Sequence, residues 1–220
     1  MRRFLPFIIV IIVALLAVGG GAYFYLAKRS ANAPPKFAKA EGEVAGESVH
    51  VLGPANAAVT LEEFGDFQCP PCGKLSEPIN HLQKQYNLRV IYREFPLPMH
   101  AHAKDAACAA EAAGRQGRFW QMHDLLFREQ AVWSQSTDAR ALFNAYAGML
   151  QLDLGRFRKD MDSTDVQQQV ELDQQRGAAI GVKTTPTIFL NNEALPPTQL
   201  NPDGLPAVVE AALKKAKPSS

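Results

Sequence analysis

The chain opens on an uncharged, mostly apolar run over residues 4–27, bracketed by Arg2 and Arg3 before it and Lys28 and Arg29 after it. Roughly 20 residues of helix cross a bilayer core, so the pattern predicts one transmembrane helix. Gly19, Gly20 and Gly21 interrupt the run, which a membrane helix tolerates. A cleaved signal sequence is the rival, with residues 7–18 as its apolar core. Renewed apolar character over 22–27 favours a retained anchor. Flanking charges nearly balance, and the short N-terminus is expected inside. That puts a single-pass protein in the cytoplasmic (inner) membrane, its soluble domain in the periplasm or extracellular; signal cleavage would give a secreted form. Residues 30–48 are rich in Ala, Pro, Gly, Lys and Glu and read as a flexible linker.

Beyond the linker the periodicity changes. Residues 58–67 (AVTLEEFGDF) predict a strand, and a helix follows over about 72–86. A second strand over 88–95 is stopped by Pro96 and Pro98. A full helix between two strands implies a parallel, right-handed crossover. Apolar residues then recur at helical spacing from about 101 to 180, first as Ala103, Ala106, Ala107, Ala110 and Ala113, then as Phe119, Met122, Leu125 and Leu126. A third helix over 138–149 follows a cap at Thr137, and Phe157, Met161, Val166 and Val170 continue the pattern until glycines at 177–181 break it. A short strand over 187–190, a turn at Asn191 and Asn192, a further strand and a helix over 205–216 close the chain. The order predicts an α/β fold, a small mixed sheet with an all-helical insertion between its second and third core strands. Residues 217–220 read as a tail.

With 47% hydrophobic residues in 220, the chain is neither wholly disordered nor a multi-span membrane protein. Its 23 basic and 22 acidic side chains form no dense cationic block, which argues against nucleic acid as a partner. Three cysteines are too few for a disulfide scaffold.

Two of them stand as Cys69-Pro70-Pro71-Cys72, where a strand gives way to a helix. Such spacing places both sulfurs at one helix end. The positive end of the helix dipole and its unpaired amides favour thiolate at Cys69. Cys72 can then resolve a mixed disulfide formed there. A fixed structural disulfide and half of a zinc site are the alternatives; the second lacks a nearby cysteine pair or histidine. Cys108, set among alanines in a helix, reads as a small buried hydrophobe.

Phe67-Gln68-Cys69-Pro70-Pro71-Cys72, Phe95-Pro96-Leu97 with His100, and Gly181-Val182-Lys183-Thr184-Thr185-Pro186-Thr187 together resemble the DsbA-type thiol-disulfide oxidoreductases of thioredoxin-like fold. The resemblance covers about residues 49–216. It implies Cys69 as an exposed nucleophile, Cys72 as the buried resolving cysteine and a redox disulfide between them. It also implies Pro186 as a cis-proline facing that pair, and Thr185 beside it pairing with substrate, with Pro70 and Pro71 on the substrate-facing surface. Glu63 matches a buried acid that exchanges a proton with Cys72, although Glu62 and Asp66 compete for the role because alternation alone does not say which face is inside. A packing role suits His100 as well as catalysis does, while His102 and His123 read as surface or packing residues. Pro71 stands where the best-known oxidising members carry histidine, so a less strongly oxidising pair is expected.

The function expected is donation of disulfides to secreted or periplasmic proteins, by a monomer needing no cofactor or metal. Its partners would be unfolded, cysteine-bearing proteins and a membrane redox partner that reoxidises the pair. An envelope reductase or isomerase, and a peptide-binding chaperone module with a structural disulfide, are the alternatives.

Overall fold

The structure, a computed structural model, describes residues 20–21 and 50–216. The chain divides into two units, Met1–Pro35 and Lys36–Ser220. In the first, only Gly20 and Gly21 are described, and both are helical.

The transmembrane helix expected over 4–27 is corrected here. Among the described residues no helix is long and apolar enough to cross a membrane, where about 20 apolar residues in one helix are needed. The rest of that stretch lies outside the described residues, as do the linker at 30–48 and the tail at 217–220. The single-pass topology, the inner-membrane location and the membrane-anchored state rested on that helix and fall with it.

The second unit is built on five strands: β1 (Val51–Leu52), β2 (Thr60–Gly65), β3 (Arg89–Glu94), β4 (Thr187–Leu190) and β5 (Glu193–Ala194), in the order β1-β3-β2-β4-β5. β2 and β3 are parallel and joined through helix α1 (Pro70–Tyr86); the other pairings are antiparallel. β1 was not legible in the sequence, because two residues carry no periodicity. β2 is buried from Leu61 to Gly65, since helices cover both faces of the sheet. On one face Leu61, Val90 and Ile188 pack against Leu75, Ile79 and Leu82 of α1 and Leu205 and Val209 of α8 (Gly204–Ala216). On the other, Phe64, Phe95 and Phe189 form an edge-to-face cluster.

Between β3 and β4 lie α2 (Ala103–Gly114), α3 (Phe119–Arg128), α4 (Gln130–Trp133), α5 (Ala139–Met149), α6 (Leu154–Met161) and α7 (Thr164–Ala179). This is the all-helical insertion the spacing predicts. α2 is buried nearly all round, and its alanines let neighbouring helices approach. Its surroundings form a separate core with Trp133, Phe143 and Phe157 fully buried. Asp138, not Thr137, caps α5, accepting from Ala141 N. Of the glycines expected to break the insertion's final helix, Gly177 lies inside α7, which runs on to Ala179, whereas Gly181 stands just past its end with φ 91°. A Cβ at Gly177 would meet the Phe95 ring at 2.7 Å, so the residue serves close packing.

Candidate active site

Cys69 is the N-cap of α1, with extended backbone at φ −76° and ψ 117°, and Pro70 and Pro71 begin the helix where a missing N–H costs nothing. The loop entering it is held from both sides. Asp66 accepts from Gln68 N at 2.7 Å, Leu97 N at 2.8 Å and His100 Nδ1 at 2.7 Å. From the insertion, Gln130 Nε2 donates to Phe67 O at 2.6 Å and Cys69 O at 3.0 Å, and His102 N donates to Gln68 Oε1 at 2.7 Å. Strand end, helix start and insertion thus share one hydrogen-bonded frame. Gln130 was missed in the sequence because its contact partners lie more than sixty positions away.

Both cysteines are free thiols, as is Cys108. Cys72 is fully buried, and Cys69, expected to be exposed, is only 5% exposed. Thr185 accounts for part of that cover: the Cys69 thiol donates to its carbonyl oxygen at 3.3 Å. The Thr185–Pro186 peptide bond is cis, and Thr187 Oγ1 donates to Thr184 O at 2.7 Å, tying the corner to β4. Pro70 and Pro71 are exposed beside the sulfurs.

The two thiols are electrostatically unequal. Hydrogen bonding from the Cys72 thiol lowers Cys69 to about 6, helped by the Thr185 hydroxyl and the Cys72 backbone N–H, against burial and the charge of Asp66. The Thr185 hydroxyl is buried and bonds no oxygen or nitrogen. The Cys69 S–H itself donates to the Thr185 carbonyl. Cys72 is pushed well above the usual thiol range, first by burial, then by its bond to Cys69 and the charges of Glu63 and Cys69. Glu63, on β2, is 3% exposed, its Oε1 has no hydrogen-bond partner, and burial raises its carboxyl to about 8, with the Cys69 charge adding to the shift.

The rival acids are buried too, which strand alternation could not foretell in a sheet covered on both faces. Glu62 points the other way, accepting from Arg93 Nε at 2.9 Å and Arg176 Nε at 3.1 Å, while Arg93 Nη1 donates to Asp173 at 2.9 Å. Asp66 organises the loop. His123 is buried in an aromatic cluster with Phe67, Tyr92, Phe119 and Phe127, and its pKa is lowered by that burial. Cys108 is buried against Ala107, Val166 and Val170, and burial pushes its thiol up to about 12. Among the described residues no group of three or more His, Cys, Asp or Glu could hold a metal ion.

A thioredoxin-like sheet with a Cys-x-x-Cys pair at a helix start defines the class of thiol-disulfide oxidoreductases. The family model described as thioredoxin matches residues 46–211. BdbD from Bacillus subtilis, in its oxidised form, is 25% identical with a TM-score of 0.64, over 74% of this chain and 92% of that one. A thioredoxin-like oxidoreductase from Silicibacter pomeroyi is 26% identical with a TM-score of 0.62, over 75% and 92%. The chain belongs to the thioredoxin family. Among curated proteins, the Na(+)/H(+) antiporter NhaA 1 of Salinispora arenicola is 41% identical over 144 residues, which are 64% of this chain and 21% of that protein. The chain therefore spans about a fifth of the length of the curated relatives it matches.

Proposed function

We propose that this chain donates its disulfide to cysteine-bearing client proteins bound for an oxidising compartment. The observation that carries the reading is the inequality of the pair, a Cys69 thiol at about 6 beside a Cys72 thiol far above the ordinary range. Whatever stabilises the Cys69 thiolate stabilises the reduced protein, and so makes its disulfide the stronger oxidant.

A client thiolate attacks the Cys69 sulfur of the oxidised pair. The Cys69–Cys72 bond breaks, a mixed disulfide forms, and Cys72 departs with the electron pair. Because its thiol is a weak acid, Cys72 takes a proton at once, and Glu63 is the proton donor we assign. A second client thiolate then attacks the client sulfur of the mixed disulfide, and Cys69 leaves as a stable thiolate. The client has lost two electrons and the protein has gained them, so a separate oxidant must restore the pair. Thr185 and the cis-Pro186 corner would receive the extended client segment, with Pro70 and Pro71 forming the rest of the contact surface.

Mixing the oxidised chain with one equivalent of a reduced, unfolded, cysteine-bearing protein tests this. Acid quenching and thiol alkylation should show the disulfide on the client and two free thiols at Cys69 and Cys72. A Cys69→Ala variant should transfer nothing. Equal client oxidation by that variant would remove the proposal.

A further inference from the structure

Residues paired across neighbouring strands share one face of a sheet. Glu63 on β2 pairs with Tyr92 on β3. Tyr92 N donates to His50 O at 3.1 Å, continuing the β1 register one residue beyond Val51. Glu63, Tyr92 and His50 therefore form one row across the sheet, and Tyr92 belongs to the same apolar cluster as Cys72. In the next row Gly65 pairs with Glu94. The Tyr92 ring lies over Gly65, where an added Cβ would stand 2.6 Å from the phenol oxygen, so the hydroxyl reaches into the row of Glu94.

Glu94 is fully buried, and neither of its carboxyl oxygens has a hydrogen-bond partner. Such a group is costly to keep unless it serves a purpose. The groups whose charge it feels are Glu111 of α2, Asp173 of α7 and Asp66 after β2; it acts in turn on Tyr92 and on Cys108 of α2. Burial and these like charges hold its carboxyl well above the usual range and so favour its protonated form. Asp173 is engaged by Arg93 and by Glu94 N, and Asp66 by the active-site loop. Glu111 bonds His50 Nε2 at 2.7 Å. These two residues border a cavity of about 580 Å³ that Arg115, Trp120 and Gln169 also line, and none of Cys69, Cys72, Thr185 or Pro186 lines it.

We propose that Tyr92, Glu94 and the Glu111–His50 pair relay the proton exchanged between Cys72 and Glu63 to and from solvent in this cavity. The inference rests on the disulfide exchange proposed above. When Cys72 leaves the disulfide and takes the Glu63 proton, Glu63 becomes a carboxylate. Tyr92 returns a proton to it and draws one from Glu94, which is refilled through Glu111 and His50. In the opposite direction each proton moves outward by the same steps. With a client seated over Cys69, this route keeps Cys72 in exchange with water.

The test is single-turnover reduction of the oxidised full chain by dithiothreitol from pH 5 to 10, with Tyr92→Phe and Glu94→Gln variants. Loss of a relay group should slow opening of the disulfide about ten-fold or more near neutral pH and change its pH profile. The Cys69 alkylation midpoint should stay where it is in the wild type, which a general structural defect would not preserve. Unchanged rate and profile in both variants would overturn the relay. Should both variants fail to fold, the time-resolved infrared difference spectrum recorded during reduction of the wild type decides. Changes at two protonated carboxyls support the relay, and a change at one alone contradicts it. A wild type that is never reduced removes the exchange reading and the relay together, whereas a reactive wild type with indifferent variants removes only the relay.

Discussion

The Cys69 sulfur lies 3.3 Å from the carbonyl oxygen of Thr185, a residue 116 positions later in the chain. Two distant segments thereby meet at one atom, and Thr185 holds both an acceptor for the thiol and a hydroxyl for the thiolate. Replacing Thr185 by valine keeps the β-branched shape and removes the hydroxyl. The Cys69 alkylation midpoint should rise by about one unit, ~1.4 kcal/mol, the scale of one hydrogen bond to a charged group. An unchanged midpoint would show that the hydroxyl does not reach the sulfur.

Glu63 supplies a prediction whose sign depends on pH. Its carboxyl is raised in the folded protein to about 8, against 4.5 as the ordinary value. Above the ordinary value the native state binds more protons at this site than the unfolded chain does. Stability therefore falls as pH rises from about 4.5 to 8 and then levels off. A Glu63→Gln variant lacks that loss, so its melting temperature should exceed wild type at pH 8 and match it closely near pH 4. Thermal melts of the reduced proteins at the two pH values check this, and a larger gain at pH 4 would reverse the assignment.

The lowered Cys69 thiol bears on the reduction potential. Its folded value of about 6 lies below the ordinary 9, so stability of the reduced form builds between those two pH values and is lost as pH falls through 6. A glutathione titration at pH 7 should place the midpoint above thioredoxin's ~−270 mV. With Pro71 lacking a titratable ring, it should remain below the ~−120 mV of the strongest oxidants. A midpoint at or below the thioredoxin value contradicts a disulfide donor.

On the opposite sheet face, Arg93 is 5% exposed and bonds both Glu62 and Asp173. Truncation by Arg93→Ala leaves two buried acids short of a partner, although Arg176 still reaches Glu62. The expected loss is about 3–5 kcal/mol in urea unfolding. A loss under about 1 kcal/mol, the scale of an exposed pair, would mean that water fills the site.

Much of this was legible in the sequence because the signals are local. Two cysteines three positions apart, a helix after a strand, and alanines at helical spacing each fix nearby geometry. What escaped detection depends on tertiary pairing. Val51 and Leu52 form a strand only because β3 offers an edge. Glu63 could not be told from Glu62 and Asp66 because helices bury both sides of β2, so polarity does not alternate there. Nothing local in the sequence singles out Glu94 or Glu111, because only the fold brings their charges together. The spanning helix expected in the first thirty residues falls almost wholly outside the described residues, among which no helix is long and apolar enough to cross a membrane.

The central claim is that Cys69 is an acidic thiol, and alkylation of the reduced protein across a pH series measures it directly. The rate at Cys69, followed peptide by peptide so that Cys72 and Cys108 are scored separately, should turn on with a midpoint near about 6. A midpoint near ~8.5, where an ordinary cysteine titrates, or no reaction at Cys69 at any pH, would contradict the account.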